Sequence, residues 1–187
     1  VRPEMQKFLF VLGSSRAGGN TETLARKAAE YLPEGAQQRW IWLEDVPLAP
    51  FRDTRQDRVP HPLQEGNEQL LLDATLEATD IVIASPLYWY SVSATAKQYL
   101  DYWSGWLHIP GLQFKASMRE KTLWGVSAAE EDDMFSALVD TLHKSANYLK
   151  MRWGGVLLGH GHHPGEVVDD APAMEAAKDF FQSVYAK

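Results

Sequence analysis

The chain contains no cysteine. That absence removes disulfides, iron–sulfur ligation, thiol catalysis and cysteine-based zinc sites together. Long apolar runs are missing too: no stretch approaches the roughly 20 residues needed to span a bilayer. The first seven residues (V-R-P-E-M-Q-K) carry no signal-peptide pattern. A cytoplasmic location without a membrane span is therefore expected. Positive charge is scarce, with 18 lysines and arginines against 25 aspartates and glutamates and a formal net charge of -7. That balance argues against a general role on nucleic acid or an anionic membrane. A local cluster of donors can still hold an anionic ligand.

What is present suits one compact domain spanning residues 1–187, 45% hydrophobic. Residues 8–12 (F-L-F-V-L), 80–85 (D-I-V-I-A-S) and 121–127 (K-T-L-W-G-V-S) read as strands. The first two are nearly unbroken apolar runs, as expected of strands buried on both faces of a parallel sheet. Residues 39–43 (R-W-I-W-L) read as a strand near the sheet edge, and 155–158 as a short fifth strand. Helical spacing over 21–32, 65–79, 93–106, 132–149 and 172–185 places a helix after every strand. Strict alternation predicts an α/β protein, a parallel sheet with helices on both faces. Five strands favour a flavodoxin-like three-layer sandwich in the order 2-1-3-4-5. Residues 46–62, with four prolines, form a connection long enough to be functional or mobile. Residues 105–119 read as irregular.

In such sheets ligands bind beyond the carboxyl ends of the strands, where the strand order switches, here between strands one and three. The loop after strand one reads G-S-S-R-A-G-G-N-T. It offers the hydroxyls of Ser14, Ser15 and Thr21, the guanidinium of Arg16, the amide of Asn20 and the free N–H groups of a helix start. A capping Asn20 or Thr21 would account for one or two of these residues but not for the set. The loop is not G-x-G-x-x-G. Gly13 and Gly18 have the spacing of a triphosphate loop, but Gly19 and Asn20 stand where its lysine and hydroxyl would be. A phosphomonoester fits best.

The loop after strand three is apolar and aromatic: Pro86, Leu87, Tyr88, Trp89, Tyr90. A planar ring would lie well against it, although any single aromatic there could instead pack on a helix or a partner subunit. Phosphate in one loop and a flat ring in the next describe a mononucleotide, and among mononucleotides a flavin. His160, His162 and His163 read as a solvated turn rather than a metal site. Glu130, Glu131, Asp132 and Asp133 read as acids complementing a helix N-terminus.

The two segments G-S-S-R-x-G-G-N-T and S-P-L-Y-W-Y-S-V-S-A-x-x-K resemble the NADPH-dependent FMN reductase family of flavodoxin-like flavoproteins. The resemblance covers most of the chain in its order of elements. It implies that Ser14, Arg16, Asn20 and Thr21 hold the FMN phosphate. By the same likeness Pro86, Leu87, Tyr88, Trp89 and Tyr90 border the isoalloxazine, and Ser127 and Ala128 close its side. It further implies NADPH or NADH as co-substrate and a homodimer or homotetramer, to whose interface the tryptophan-rich segment 99–107 could contribute if it is not core. The expected activity passes electrons from the nicotinamide cofactor through FMN to a small-molecule acceptor, such as a flavin, a quinone or an azo or nitro compound, by a ping-pong mechanism. The flavin carries the chemistry, so no catalytic acid or base is expected from the protein. The alternative is a flavodoxin-type electron carrier between protein partners. A receiver domain would need acids at the ends of strands one and three, where Leu12-Gly13-Ser14 and Ala84-Ser85-Pro86 stand.

Overall fold

The computed structural model describes residues 5–130 and 134–183. Its centre is a five-stranded, fully parallel sheet in the order β2-β1-β3-β4-β5. The strands are β1 (Lys7–Leu12), β2 (Gln37–Trp42), β3 (Asp80–Ala84), β4 (Thr122–Ala129) and β5 (Arg152–His160). Side chains alternate between the two sheet faces. Leu9, Val11, Ile81, Ile83 and Leu123 face one core. Phe8, Phe10, Leu12, Val82, Ala84, Trp124 and Val126 face the other. Helices α2 (Asn67–Glu77), α3 (Ala94–Trp106) and α5 (Ser136–Leu149) cover the first face. Helices α1 (Asn20–Ala29) and α6 (Ala171–Asp179) cover the second and pack on each other. The expected flavodoxin-like sandwich is therefore the fold.

Helix faces follow the apolar spacing. Leu24, Ala25 and Ala28 of α1 are buried, as are Leu138, Leu142, Ala146 and Leu149 of α5. Tyr99, Tyr102, Trp103 and Trp106 of α3 are all buried. The aromatic side chains of the tryptophan-rich segment are thus core. Residues 105–119, read as irregular, include the short helix α4 (Phe114–Arg119), whose Phe114 and Met118 fill the gap beside α3. The last helix stops at Asp179 and passes into a 3-10 turn, Phe180–Gln182. Residues 184 and 185 of the expected helix lie outside the described residues.

The connection over residues 46–62 is tied down at its two ends. Gln98 Nε2 donates to Ala49 O at 2.8 Å and Tyr102 OH donates to the same carbonyl at 2.8 Å. At its far end His61 Nε2 meets Glu68 Oε1 at 2.5 Å, and Trp106 Nε1 donates to that oxygen at 2.9 Å. The buried Glu68 carboxylate is satisfied by an imidazole, an indole and the Gln64 amide, as a buried charge requires.

Strand β5 is more than twice the length expected from the sequence. The reason is a bulge: Leu123 pairs with Trp153 but Trp124 pairs with Gly155, leaving Gly154 over. The paired glycines hide a strand from propensity rules because their use is steric. A Cβ on Gly154 would lie 2.1 Å from the Trp124 ring. That ring is fully buried, with Nε1 donating to Asp80 Oδ1 at 2.9 Å, so it has nowhere to go. Gly154→Ala is expected to destabilise the fold by about 1–3 kcal/mol through overpacking, measured by urea unfolding; an unchanged midpoint would contradict this packing.

Candidate functional site

β1 and β3 diverge into loops on either side of the switch in strand order. In the first loop Ser14 is buried, its Oγ donates to Arg16 O at 3.0 Å, and its carbonyl accepts the indole N–H of Trp42 at the end of β2. These contacts fold residues 14–16 into a tight turn. The Arg16 side chain is left exposed, with no ion pair to any described residue. Helix α1 begins at Asn20 with Gly19 as its N-cap and no side-chain cap. The amides of Asn20, Thr21 and Glu22 point out of the helix start with no intrahelical acceptor. Glu22 takes the Gly18 amide at 2.8 Å and is itself held by Arg26 Nε at 2.9 Å. Exposed guanidinium and unpaired helix amides together suit a dianion such as a phosphomonoester.

Asn20 behaves differently from the expectation. Its Nδ2 donates to Gly161 O and His163 O, both at 3.0 Å. Its Oδ1 accepts from Gly165 N at 2.8 Å and Val167 N at 3.2 Å. The carboxamide is fully engaged with the loop that follows β5, leaving only the backbone amide of Asn20 to face an anion. Thr21 is buried at the same helix start.

The second loop forms a tight turn closed by two bonds, Tyr88 N–H to Ser91 O at 3.0 Å and Ser91 N–H to Tyr88 O at 3.1 Å. Its two central residues, Trp89 and Tyr90, have φ of 49° and 65°. Paired positive φ values are the signature of the turn that asparagine and glycine normally occupy. Two bulky residues there cost about 1–2 kcal/mol each, against about 0.5–1.5 kcal/mol net for each closing hydrogen bond. By these figures the turn alone is unfavourable by about 1 kcal/mol. Its effect is to hold the Trp89 ring 93% exposed, with Tyr88 and Tyr90 half exposed beside it.

Pro86, Leu87, Tyr88, Trp89, Tyr90 and Ala128 line one hollow of about 400 Å³, so six of the expected ring contacts come together. Ser127 does not reach it: the strand alternation turns it to the other sheet face from Ala128, fully buried, with Oγ unbonded. Four further lining residues, Ala129, Glu130, Met134 and Gly161, were not expected. Ala129 is the last residue of β4, which runs two residues beyond the expected strand, Glu130 follows it, and Gly161 comes from the G-H-G-H-H-P-G segment. A smaller hollow of about 120 Å³ beside Lys7, Gln37 and Arg39 lies at the amino ends of the strands, away from both loops.

Glu130 is not a helix cap. It sits at the mouth of the hollow, with Oε1 2.9 Å from His162 Nδ1, both side chains well exposed; Glu131, Asp132 and Asp133 lie outside the described residues. His160 is the last residue of β5 rather than part of a turn. Its backbone N–H donates to Asp170 Oδ2 at 2.8 Å, and its Nδ1 lies 2.9 Å from the same oxygen. Asp170 Oδ1 caps α6 by accepting Ala173 N at 3.1 Å. Burial pushes the Asp170 carboxyl up, but the Ala173 amide and the His160 ring and amide outweigh it and hold the group below its ordinary value. Backbone amides of His163 and His162 likewise hold Glu166 low, against a smaller opposing effect of burial.

Residues 6–156 match the family model described as NADPH-dependent FMN reductase. YwqN of Bacillus subtilis strain 168, provisionally named an NAD(P)H-dependent FMN-containing oxidoreductase, is 28% identical over 175 residues, 91% of this chain and 94% of that protein. Among solved structures, the Trp repressor binding protein of Bacillus subtilis superposes with a TM-score of 0.73 at 24% identity, covering 92% of this chain and 96% of that one. An FMN-dependent NADH-azoreductase of Bacillus anthracis, solved in complex with FMN, gives a TM-score of 0.60 at 15% identity, covering 94% and 100%. No helix among the described residues is long and apolar enough to cross a membrane.

Replacing Trp89-Tyr90 by Asn-Gly is expected to raise stability by about 1–2 kcal/mol by removing the turn strain, read from thermal melts; a lower melting temperature would contradict the strain. Asp170→Ala is expected to lose about 1–2 kcal/mol at pH 7. Because the folded carboxyl titrates below its unfolded value, this contribution is present above about pH 4 and is lost as pH falls through the folded value. Wild-type and variant urea midpoints should therefore converge in acid.

Proposed function

The chain belongs to the NADPH-dependent FMN reductase family, and on that premise we propose how its residues hold the cofactor and admit two substrates. It is an NAD(P)H-dependent FMN oxidoreductase. In our reading the phosphate of FMN lies in the first loop, against the Arg16 guanidinium, the turn made by Ser14, the Thr21 hydroxyl and the open amides of α1. The isoalloxazine lies in the hollow walled by Pro86–Tyr90 and Ala128. Ser127 supports that wall from the opposite sheet face without touching the ring. The observation that carries this reading is the adjacency of an anion-competent helix start and an aromatic-walled hollow at the one switch in strand order. FMN bound there supplies the redox chemistry, accepting a hydride and passing the electrons on.

The protein's own part is placement. Tyr88, Trp89 and Tyr90 exclude water from one side of the ring, and the strained turn fixes their spacing. In our reading both substrates use this one hollow, beside the bound ring. Nicotinamide cofactor and acceptor therefore alternate in one place, which is a ping-pong sequence. Flavins, quinones and azo or nitro compounds are the acceptors of matching shape. We propose a single FMN-binding domain, cytoplasmic, working as a homodimer or homotetramer.

The test begins with the visible spectrum. Purified protein should be yellow, release FMN on heating, and oxidise NADPH or NADH with a quinone or azo acceptor, giving parallel double-reciprocal lines. Colourless protein that does not take up FMN would sink the reading, and intersecting lines would remove the ping-pong order. Arg16→Ala is expected to weaken FMN binding by about tenfold or more, the worth of a charge-assisted hydrogen bond, with an unchanged circular dichroism spectrum.

A further inference from the structure

We propose that Asn20 is a positioning residue: its carboxamide latches the loop after β5 onto the phosphate loop, so that Gly161 is fixed at the wall of the ring hollow. The proposal rests on the reading that FMN occupies these two places.

A primary carboxamide can donate two hydrogen bonds and accept two. Asn20 makes all four, with partners 141 to 147 residues further along the chain. Two carbonyls and two amides of one loop converge on one side chain, so its removal leaves four backbone groups to find other partners. No donor remains on that side chain for a phosphate. The loop it holds is internally organised: Glu166 Oε2 takes the amides of His162 and His163 at 2.9 and 2.8 Å. Gly161 is gripped from two directions, its N–H donating to Ala129 O at 3.1 Å and its carbonyl accepting from Asn20. The fit permits no side chain there, because a Cβ on Gly161 would lie 2.6 Å from Asn20 Nδ2 and 2.9 Å from Val167 N. Gly161 lines the ring hollow, while Asn20 is the first residue of the helix that faces the phosphate. The phosphate end and the ring end of the cofactor are thereby bound to one rigid unit.

A latch and a phosphate ligand differ in one measurable way. Losing a phosphate ligand weakens FMN but not riboflavin, which has no phosphate. Losing the latch disturbs the ring wall and weakens both alike. Dissociation constants of FMN and riboflavin for the apoprotein, read by flavin fluorescence, supply the test. Asn20→Ala and Gly161→Ala are each expected to weaken both ligands by a similar factor, about tenfold, leaving the ratio of the two constants at its wild-type value. Arg16→Ala is the control in which that ratio collapses. Asn20→Asp keeps the two accepting bonds but sets a carboxylate oxygen against two carbonyls. Its loss should be larger at pH 8 than at pH 5, where protonation returns one donor.

A selective loss of FMN affinity in Asn20→Ala, or no change in either ligand, overturns the latch. A wild-type protein that binds riboflavin as tightly as FMN would instead remove the phosphate anchor of the proposed function and leave the latch to be judged on the Asn20 and Gly161 variants. Hydrogen exchange on the unaltered protein gives an answer that needs no variant to fold. The amides of Gly165 and Val167 should exchange slowly, and exchange at the rate of open loop amides would refute the latch.

Discussion

Strands β1, β3 and β4 cannot be left to water on either face. Phe8 to Leu12, the whole of β3, and β4 from Thr122 to Ala128 are buried, and each large aliphatic or aromatic side chain so buried contributes about 1.5–3 kcal/mol. Two layers of helices are the only way to cover both faces of a parallel sheet, and right-handed crossovers supply them. Every other feature of the molecule descends from that demand. Crossing from one face to the other between β1 and β3 opens the crevice at their carboxyl ends, and the loops that frame it leave the sheet's hydrogen-bond ladder after Gly13 and Ser85.

Those loops are kept in place by contacts from the periphery of the fold. The indole of Trp42 at the end of β2 holds the Ser14 carbonyl. The ring of Trp40 stacks on Phe10 at 3.9 Å, under the Arg26 guanidinium. The Asn20 carboxamide gathers in a loop from the far side of the sheet. Arg58, Gln113 and Lys150 adopt positive φ singly, but Trp89 and Tyr90 do so in succession and raise a ring into solvent. Two consecutive left-handed residues and the open amides of a helix start meet at this end of the sheet.

The contrast between Asn20 and Arg16 bears on how such loops are read. Both stand in a donor-rich segment and both carry a side chain able to meet a phosphate. Arg16 is left open by its surroundings, whereas Asn20 is consumed by four backbone groups. Residue type was the same warrant for each, and the partners decided between them.

The one-dimensional pattern alone determined the alternation of strands with the main helices, the buried strands and, through the fold class they imply, the strand sequence 2-1-3-4-5, and it singled out the two loops of the candidate site. These are local properties: unbroken apolar runs, helical spacing and turn chemistry act through near neighbours in the chain. Tertiary structure decided the rest. It lengthened β5 around Gly154, because only the Trp124 ring explains a glycine there. It turned Ser127 away from the hollow and Glu130 into its mouth, because the end of β4 is set by pairing with β5. It tied one end of the 46–62 connection to α3 and the other to Glu68, and it gave Asn20 to a loop more than 140 residues away. Each of these depends on a partner distant in the chain, and such a partner leaves no periodicity for the sequence to display.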